Sequence, residues 1–204
     1  MVVSNAVITA NLRVVRERIA ECAQRSGRDS RTIRLIAISK THSPECIAAA
    51  VAAGQTEFGE STAQEALPKI GHFSDRGITW HFVGHVQSNK AKFLPGNFLW
   101  LHSLDHRAMA VRLARFAHEN KATLNALIEI NVTRDTRRHG VAPEALYSLL
   151  DELLRENLMP GLALRGLMAM APYPAAEPEI RAAFGRAREL RDQCRERYAL
   201  PNFT

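Results

Sequence analysis

The 204-residue sequence has no uninterrupted apolar run of about 18 residues, the shortest that is typical of a transmembrane helix. Its first twenty residues lack the apolar core and the small-residue cleavage site of a signal peptide, so we expect a cytoplasmic protein without membrane contact. Cysteine is scarce: Cys22, Cys46 and Cys194 are an odd number at unrelated spacings. They fit neither a disulfide framework nor a zinc motif, which favours reduced thiols.

Motifs of nucleotide-driven and hydrolytic chemistry are absent as well. The sequence contains no glycine-rich phosphate loop, no Gly-x-Gly-x-x-Gly fingerprint and no Gly-x-Ser-x-Gly nucleophile elbow. Aromatic residues make up 6% of the chain, too few for a platform on which single-stranded nucleic acid would stack. These absences disfavour nucleotide-driven enzymes, α/β-hydrolases and single-strand binders.

Positive charge is in modest excess. Lys and Arg number 27 against 21 Asp and Glu, a net charge of +6. Residues 1–34 contain seven arginines and three acidic residues, a local balance of +4, and a smaller cluster lies at residues 134–139. Because neither segment is interleaved with aromatics, we interpret the arginines as a solvated helix face. A basic nucleic-acid-interacting module is kept as an alternative and is tested by the salt dependence of binding.

The order of hydrophobic patterns predicts the fold class. An apolar stripe at steps of three and four predicts a helix over residues 8–22, and the rest of the chain alternates short apolar runs with helical patterns. We predict strands at 33–39, 57–59, 79–84, 98–104, 124–132 and 162–170. We predict helices at 46–53, 63–70, 106–120, 143–157 and 177–198, with a short helical piece at 89–93. Such alternation is typical of a parallel α/β fold.

Two parallel architectures fit six strand–helix units: a flat doubly wound sheet and a closed eight-fold barrel. A barrel normally needs roughly 250 residues, with about 200 as the minimum. We therefore expect one domain over residues 1–204, either an open sheet or a barrel that lacks its last two strands.

Lys40 is the first candidate for chemistry, because it directly follows the first predicted strand. Ligands bind at the carboxyl ends of the strands in both architectures. A lysine partly desolvated there would favour its neutral amine, which attacks a carbonyl to form a Schiff base. On position alone, a lysine that simply leads the chain into solvent is the more common case.

His81 and His85 form the second candidate group. Their spacing of four suits two metal ligands on a helix, but here it spans a strand end and a glycine. No carboxylate or third histidine is evident nearby in sequence, so we favour a hydrogen-bonded pair at a strand–loop junction over a metal site. Ser61, after the second strand, is a candidate cap or ligand contact. Met168, at the end of the sixth strand, lies near the same rim, although methionine in a strand is usually core.

Six segments together resemble the pyridoxal-phosphate homeostasis proteins (the YggS/PROSC family), from about residue 8 to the end. The segments are IAISKT (36–41), FGESTAQEA (58–66), WHFVGHVQSNK (80–90), HSLD (102–105), NV (131–132) and RGLM (165–168). The resemblance implies a TIM-type (β/α)8 barrel of PLP fold type III, like the N-terminal domain of alanine racemase. It also implies pyridoxal 5'-phosphate held as a Schiff base on Lys40, with Ser61, His85 and Met168 as further cofactor contacts.

The resemblance implies a carrier or regulator of intracellular vitamin B6, not a metabolic enzyme, with the cofactor supplying the electrophile. The implied partners are pyridoxal phosphate and apo forms of enzymes that use it; we expect no nucleic acid, no membrane and a monomer. A fold-type III racemase or decarboxylase is the alternative. Such enzymes add a second domain with an acid–base tyrosine, and the only tyrosines here are Tyr147, Tyr173 and Tyr198.

The sequence departs from the family pattern in two places. Ser61 stands where the family usually has Asn, and a shorter hydroxyl would weaken that contact with the cofactor. Family members also continue past Thr204 with Ser-Met-Gly-Met-Ser and Arg-Ile-Gly segments, which supply the phosphate donors and an arginine facing the pyridine ring. From this difference we expect a C-terminally incomplete barrel that holds the cofactor poorly and has an open edge between its first and sixth strands.

Overall fold

Residues 4–155 and 161–204 are described in the computed structural model. The chain divides into two compact units, Met1–His81 and Phe82–Thr204, and the division falls inside a strand. No helix among the described residues has the length and apolarity needed to cross a membrane.

The first unit begins with a long helix and continues with short strands and helices. Its elements are α1 (Asn5–Arg25), β1 (Ala37–Ile38), α2 (Pro44–Ala52), β2 (Glu57–Glu60), α3 (Ala63–His72) and most of β3 (Thr79–Phe82). Strands β1 and β2 run parallel, with Ile38 opposite Gly59. Side-chain caps set two helix starts: Ser4 accepts from the Val7 amide, and Thr62 accepts from the Glu65 amide.

Aromatic and aliphatic side chains from these elements form the core of the first unit. Phe58 of β2 is 1% exposed, and its ring centroid lies 5.8 Å from that of Trp80 in β3. Ile47 of α2 is buried as well. Burying these side chains holds β2 in place, which positions the residues that follow the strand.

The second unit repeats the strand–helix alternation with longer strands. Its elements are β4 (Trp100–Leu104), α4 (Arg107–Glu119), β5 (Leu124–Ile130), α5 (Leu146–Arg155), β6 (Leu162–Ala169) and α6 (Glu177–Tyr198). Parallel pairing joins β4 to β5 and β5 to β6, with Leu104 opposite Ile128 and Glu129 opposite Met168. Six leucines and isoleucines of these strands are at most 2% exposed, which is typical of parallel strands covered on both faces: Leu101, Leu104, Leu124, Ile128, Ile130 and Leu162.

The last residues of the chain lie against β6. The Thr204 amide donates to the Arg165 carbonyl at 2.5 Å, and the Leu167 amide donates to the Thr204 carbonyl at 3.3 Å. Phe203 is 1% exposed. Thr204 therefore lies beside β6 with backbone hydrogen bonds to it on both sides of Gly166.

The first predicted strand is largely wrong. Only Ala37 and Ile38 of the predicted span 33–39 are strand, and Ile38 is 46% exposed, not buried on both faces. A 3-10 turn at Ser30–Thr32, capped by Asp29, precedes it. The Leu35 carbonyl accepts from the Gln55 side chain at 2.6 Å, so a side chain takes the place of a strand neighbour.

The other predicted elements are confirmed to within a few residues, with two changes of helix type. The piece predicted at 89–93 is a 3-10 turn at Ala91–Phe93, and the helix predicted at 143–157 begins with a 3-10 turn at Pro143–Ala145 before α5. The end of that predicted helix, residues 156–157, lies outside the described residues.

Candidate functional site

Lys40 lies in the turn that follows β1. The residue is exposed and makes no hydrogen bond or ion pair with any residue that the structure describes. The expected partial burial of this lysine is therefore wrong. β1 pairs over two residues only, and its last residue Ile38 is itself exposed, so the short strand does not bury the lysine that follows it. Ile38 and Ser39 line a small cavity of the first unit, but Lys40 is not one of its lining residues.

The backbone on both sides of Lys40 is held by a buried ionic network. Before it, the Ser39 carbonyl accepts from Lys69 Nζ at 2.8 Å, and Ser39 Oγ donates to Glu60 Oε1 at 2.6 Å. After it, the Thr41 amide donates to Glu65 Oε1 at 2.5 Å. Lys69 Nζ also lies 2.8 Å from Glu60 Oε1 and 2.7 Å from Glu65 Oε1, so one ammonium connects both carboxylates.

Burial and neighbouring charges have opposite effects on the pKa of Lys69. Burial alone would lower the pKa of Lys69, but hydrogen bonds and charges from Glu60 and Glu65 outweigh it and the pKa is raised. The hydrogen bond from Lys69 in turn lowers the pKa of Glu65. Glu60 is fully buried, and its Oε2 has no hydrogen-bond partner among the described residues. The ion pair between Lys69 and Glu65 is therefore favoured, and one carboxylate oxygen of Glu60 is left without a hydrogen bond among the described residues.

Thr41 adds backbone strain beside the candidate amine. Its φ is 65°, in the left-handed region that a β-branched residue rarely adopts. Such a conformation costs on the order of 1–3 kcal/mol and persists where the surroundings impose it, which they do at functional sites more often than elsewhere. The same residue is held by the hydrogen bond from its amide to Glu65 Oε1.

Ser61 lies at the neighbouring strand end. Because Ile38 pairs with Gly59, Lys40 and Ser61 are each two residues beyond a paired position of adjacent parallel strands. Ser61 is half-buried. The structure therefore places Lys40 and Ser61, the cofactor contacts that the resemblance implies in this unit, at neighbouring strand ends.

His81, in contrast, is buried and contacts a carboxylate of the neighbouring strand. It is 2% exposed, and its Nε2 lies 3.1 Å from Glu57 Oε2, while Glu57 also pairs with Arg34 at 2.8 Å. Desolvation lowers the pKa of His81 to about 4, and Arg34 adds to this effect while Glu57 opposes it. His81 is thus neutral at physiological pH and belongs to the packing of β2 and β3.

The second unit gathers three polar side chains after successive strands. His85 follows β3, Asp105 follows β4, and His139 lies in the loop after β5. The imidazole rings of His85 and His139 stack, with centroids 4.2 Å apart and planes inclined by 16°. One ligand atom from each of the three residues lies within 4.8 Å of the others.

Glu129 and Met168 continue this row of side chains. They are opposite each other in the register of β5 and β6, and Met168 is half-buried. Burial raises the pKa of Glu129; the Asp105 charge raises it further and His139 opposes the change. Met168 also lines a cavity of about 370 Å³ between β6 and α6. The carboxyl ends of the strands in this unit thus combine two histidines, two carboxylates and a thioether.

Sequence reasoning missed two contributions to these sites. Lys69 and the Glu60–Glu65 pair had no motif that linked them to Lys40, because the contacts span 4 to 30 residues. The charge pattern places His139 among basic residues, and the HSLD segment gives no role to Asp105. Placing both after consecutive strands of one parallel sheet would have suggested that they meet.

The N-terminal arginines have local partners in the first unit. Arg16 donates to the Ala53 carbonyl at 2.8 Å and to Gln55, and Arg31 pairs with Asp29 at 2.8 Å. Arg34 pairs with Glu57. These contacts favour a structural function for a good part of the excess charge over a nucleic-acid surface.

Known proteins are similar to this chain over nearly its whole length. The family model for the alanine racemase N-terminal domain matches residues 6–203. The pyridoxal phosphate homeostasis protein of Pseudomonas aeruginosa is 40% identical over 186 residues, which cover 91% of this chain and 79% of that protein.

Two solved structures place the fold. PipY of Synechococcus elongatus, solved with PLP bound, aligns with a TM-score of 0.75 and 34% identity over 88% of this chain and 82% of its own. The alanine racemase of Streptomyces coelicolor aligns with a TM-score of 0.72 over 95% of this chain but 49% of its own, at 22% identity, which is a likeness of fold alone. The predicted α/β fold of the alanine racemase N-terminal type and the resemblance noted in the sequence are both confirmed.

Proposed function

Since the chain belongs to the alanine racemase N-terminal domain family and is close to its pyridoxal phosphate homeostasis proteins, we propose that it binds pyridoxal 5'-phosphate and serves vitamin B6 homeostasis. The single observation that carries this proposal is Lys40: an exposed amine, without a hydrogen bond or ion pair among the described residues, on an anchored turn at a strand end. PipY, with PLP bound in its structure, is 34% identical and supports the same cofactor class.

Lys40 fits the cofactor as the residue that holds it. The amine is accessible to an aldehyde, and its backbone is fixed through Ser39, Thr41 and the buried Lys69 network. Condensation of the Lys40 amine with that aldehyde would release one water and hold the cofactor as a Schiff base. When bound, the cofactor supplies an electrophilic carbon, while the protein supplies attachment and orientation. Ser61, at the adjoining strand end, is proposed as a second contact.

Cofactor contact by His85 and Met168 stays a prediction from the sequence. Both side chains are accessible to a ligand in the second unit, since His85 is exposed and Met168 lines a cavity. Each can be tested by the change in pyridoxal phosphate affinity of its alanine variant.

We propose a carrier or regulator, not a racemase. The relatives are named for cofactor homeostasis and not for a reaction. Two of the three tyrosines that could serve as acid–base groups are engaged elsewhere: the Tyr147 hydroxyl donates to Gln193 and the Tyr198 hydroxyl donates to Asp151, both on α5 and α6. Apo forms of pyridoxal-phosphate enzymes are the proposed recipients, and the proposed setting is a cytoplasmic monomer.

Reductive labelling tests the proposal. The full chain is incubated with pyridoxal phosphate, reduced with borohydride, digested and analysed by peptide mass spectrometry. We expect the phosphopyridoxyl label on Lys40 at substoichiometric cofactor, and loss of that label in Lys40→Ala. Lys121→Ala is the matched control, because Lys121 is also exposed. Label spread over surface lysines and unchanged in Lys40→Ala would overturn the proposal.

A further inference from the structure

We propose that His85, Asp105 and His139 form a binding site for a divalent transition-metal ion such as Zn²⁺. The three residues lie entirely within the second unit, each after a different strand or in the loop that follows it. They are the one group of three or more His, Cys, Asp or Glu side chains with converging ligand atoms among the residues described.

The distances suit a metal after small side-chain movements. The three ligand atoms lie within 4.8 Å of one another, whereas ligands of a tetrahedral zinc ion at about 2.0–2.1 Å are roughly 3.4 Å apart. His85 and His139 are exposed, so their rings have room to rotate about the side-chain bonds toward a shared ion. The centroids of the two imidazole rings are 4.2 Å apart, so the rings are already adjacent.

The loop that carries His139 is pinned to the end of β5. Val141 forms an isolated bridge with Ile130: its amide donates to the Glu129 carbonyl at 2.8 Å, and its carbonyl accepts from the Asn131 amide at 2.9 Å. Gly140, at φ 104°, makes this close approach possible, because an added Cβ would lie 3.1 Å from the Glu129 backbone. His139 is therefore presented on a fixed base, as a metal ligand requires.

The surrounding carboxylates make the cluster a site for a cation and not for an anion. Asp105 and Glu129 are the two carboxyl groups of this cluster and its surroundings. Burial raises the pKa of Glu129, and the negative charge of Asp105 raises it further. Arg138, which precedes His139 in the chain, has other partners: it donates to the Ala171 carbonyl at 2.9 Å and pairs with Asp135. A bound divalent ion would offset the repulsion between the two carboxylates.

Donor chemistry selects the type of ion. Two imidazoles with one carboxylate suit Zn²⁺ and its first-row neighbours, while Mg²⁺ and Ca²⁺ prefer oxygen ligands alone. Asp105 Oδ1 lies 2.5 Å from His106 Nδ1, an outer contact that fixes the carboxylate and leaves Oδ2 for the metal. Three protein ligands leave a fourth position open to water or to a ligand.

Metal titration of the full chain, with any affinity tag removed and thiols blocked by iodoacetamide, tests the inference. Co²⁺ is the spectroscopic probe, and Zn²⁺ is followed by competition and by calorimetry. We expect one ion per chain and visible Co²⁺ bands of a four- or five-coordinate site. His85→Ala and His139→Ala should each weaken Zn²⁺ binding at least about tenfold, since outer-shell partners alone are worth 10–100-fold.

His118→Ala is the matched control, because His118 is an exposed histidine on α4 and should leave the titration unchanged. Both tested histidines are exposed, so circular dichroism of the variants should match the parent. Zn²⁺ affinity that does not change in His85→Ala and His139→Ala, or stoichiometry well below one, would overturn the inference. Equal response to Mg²⁺ would do so as well.

The two proposals fail independently. The titration is run without pyridoxal phosphate and does not involve Lys40, whereas the borohydride label reports on Lys40 and needs no metal. His85 occurs in both, so adding pyridoxal phosphate to the Co²⁺-loaded protein shows whether the cofactor changes the visible bands.

Discussion

Lys40 differs from its neighbours in burial and in bonding. Its side chain is exposed, while Ser39 is 4% exposed and Lys69, which holds the Ser39 carbonyl, is 6% exposed. A buried ammonium between two carboxylates is costly to desolvate and costly to break, because removal of one partner leaves an unpaired charge. We therefore interpret the buried ion pairs of Lys69 as contacts that fix the backbone beside Lys40, and not as a large net contribution to stability.

Lys69→Met should destabilise the protein by about 3–5 kcal/mol, because it leaves the fully buried Glu60 without its counter-ion. Urea unfolding measures the change. The double variant Lys69→Met, Glu60→Gln removes both charges and should recover part of the loss. Lys121→Met, at an exposed lysine, is the control and should change the free energy of unfolding little. A double variant less stable than the single one would contradict this account.

His81 should make stability depend on pH between 6.5 and about 4. Burial lowers the pKa of His81 from 6.5 to about 4, so the unfolded chain binds a proton there that the folded chain does not. The stabilisation is complete above pH 6.5 and is lost as the pH falls toward 4, on the order of 3 kcal/mol over that range.

Urea unfolding of the parent and of His81→Gln, measured from pH 7.5 to 4.5, checks this expectation. Glutamine keeps a polar group near Glu57 but does not titrate, so its stability should fall less steeply in this range. His118→Ala serves as a control at an exposed histidine. Parallel pH profiles for the parent and His81→Gln would refute the assignment.

At the scale of elements, the predictable part of the fold was the alternation itself. The stripe at residues 8–22 and the apolar runs of β5 and β6 have clear periodicity, and the structure contains α1, β5 and β6 there. The strand at 33–39 failed because Gln55 and the Asp29 turn, neither of them part of the hydrophobic pattern, bind the backbone instead. The periodicity of apolar residues indicates which side chains are buried, but it does not indicate hydrogen bonds from side chains to the backbone.

The candidate sites were predictable to the same limited degree. Position after a strand identified Lys40 and Ser61, which the structure places at neighbouring strand ends. The family resemblance, and not spacing, assigned Lys40 a cofactor. The meeting of His85 with His139 depends on how the loop at residues 131–142 folds back on β5, a tertiary contact that local patterns do not encode.

Two glycines give opposite predictions for β6 and α6. Gly166→Ala should destabilise by about 1–3 kcal/mol, because its Cβ would collide with the backbone of Thr204 and its φ is 154°. Gly185→Ala, inside α6 with nothing within 4 Å of the added Cβ, should stabilise by roughly 0.5–1 kcal/mol. Urea midpoints for the two variants compare them directly, and a Gly166→Ala midpoint at or above that of the parent would rule out the clash.

At the scale of the whole molecule, bound cofactor should raise thermal stability. A ligand at 100 times its Kd stabilises by about 2.7 kcal/mol, which corresponds to a rise of roughly 5–10 °C in Tm for a chain of this size. We expect this shift with pyridoxal phosphate for the parent and for Lys121→Ala, but not for Lys40→Ala. Differential scanning calorimetry measures it, and an equal shift in Lys40→Ala would contradict attachment at Lys40.

The exposure of Lys40 also bears on how a carried molecule would leave. A molecule attached to a deeply enclosed amine can leave only after the surrounding structure opens. An amine on a rigid turn with an accessible side chain can instead be approached from outside by a large acceptor, while the fold stays closed. Delivery by direct contact between two folded proteins is therefore sterically open to this chain.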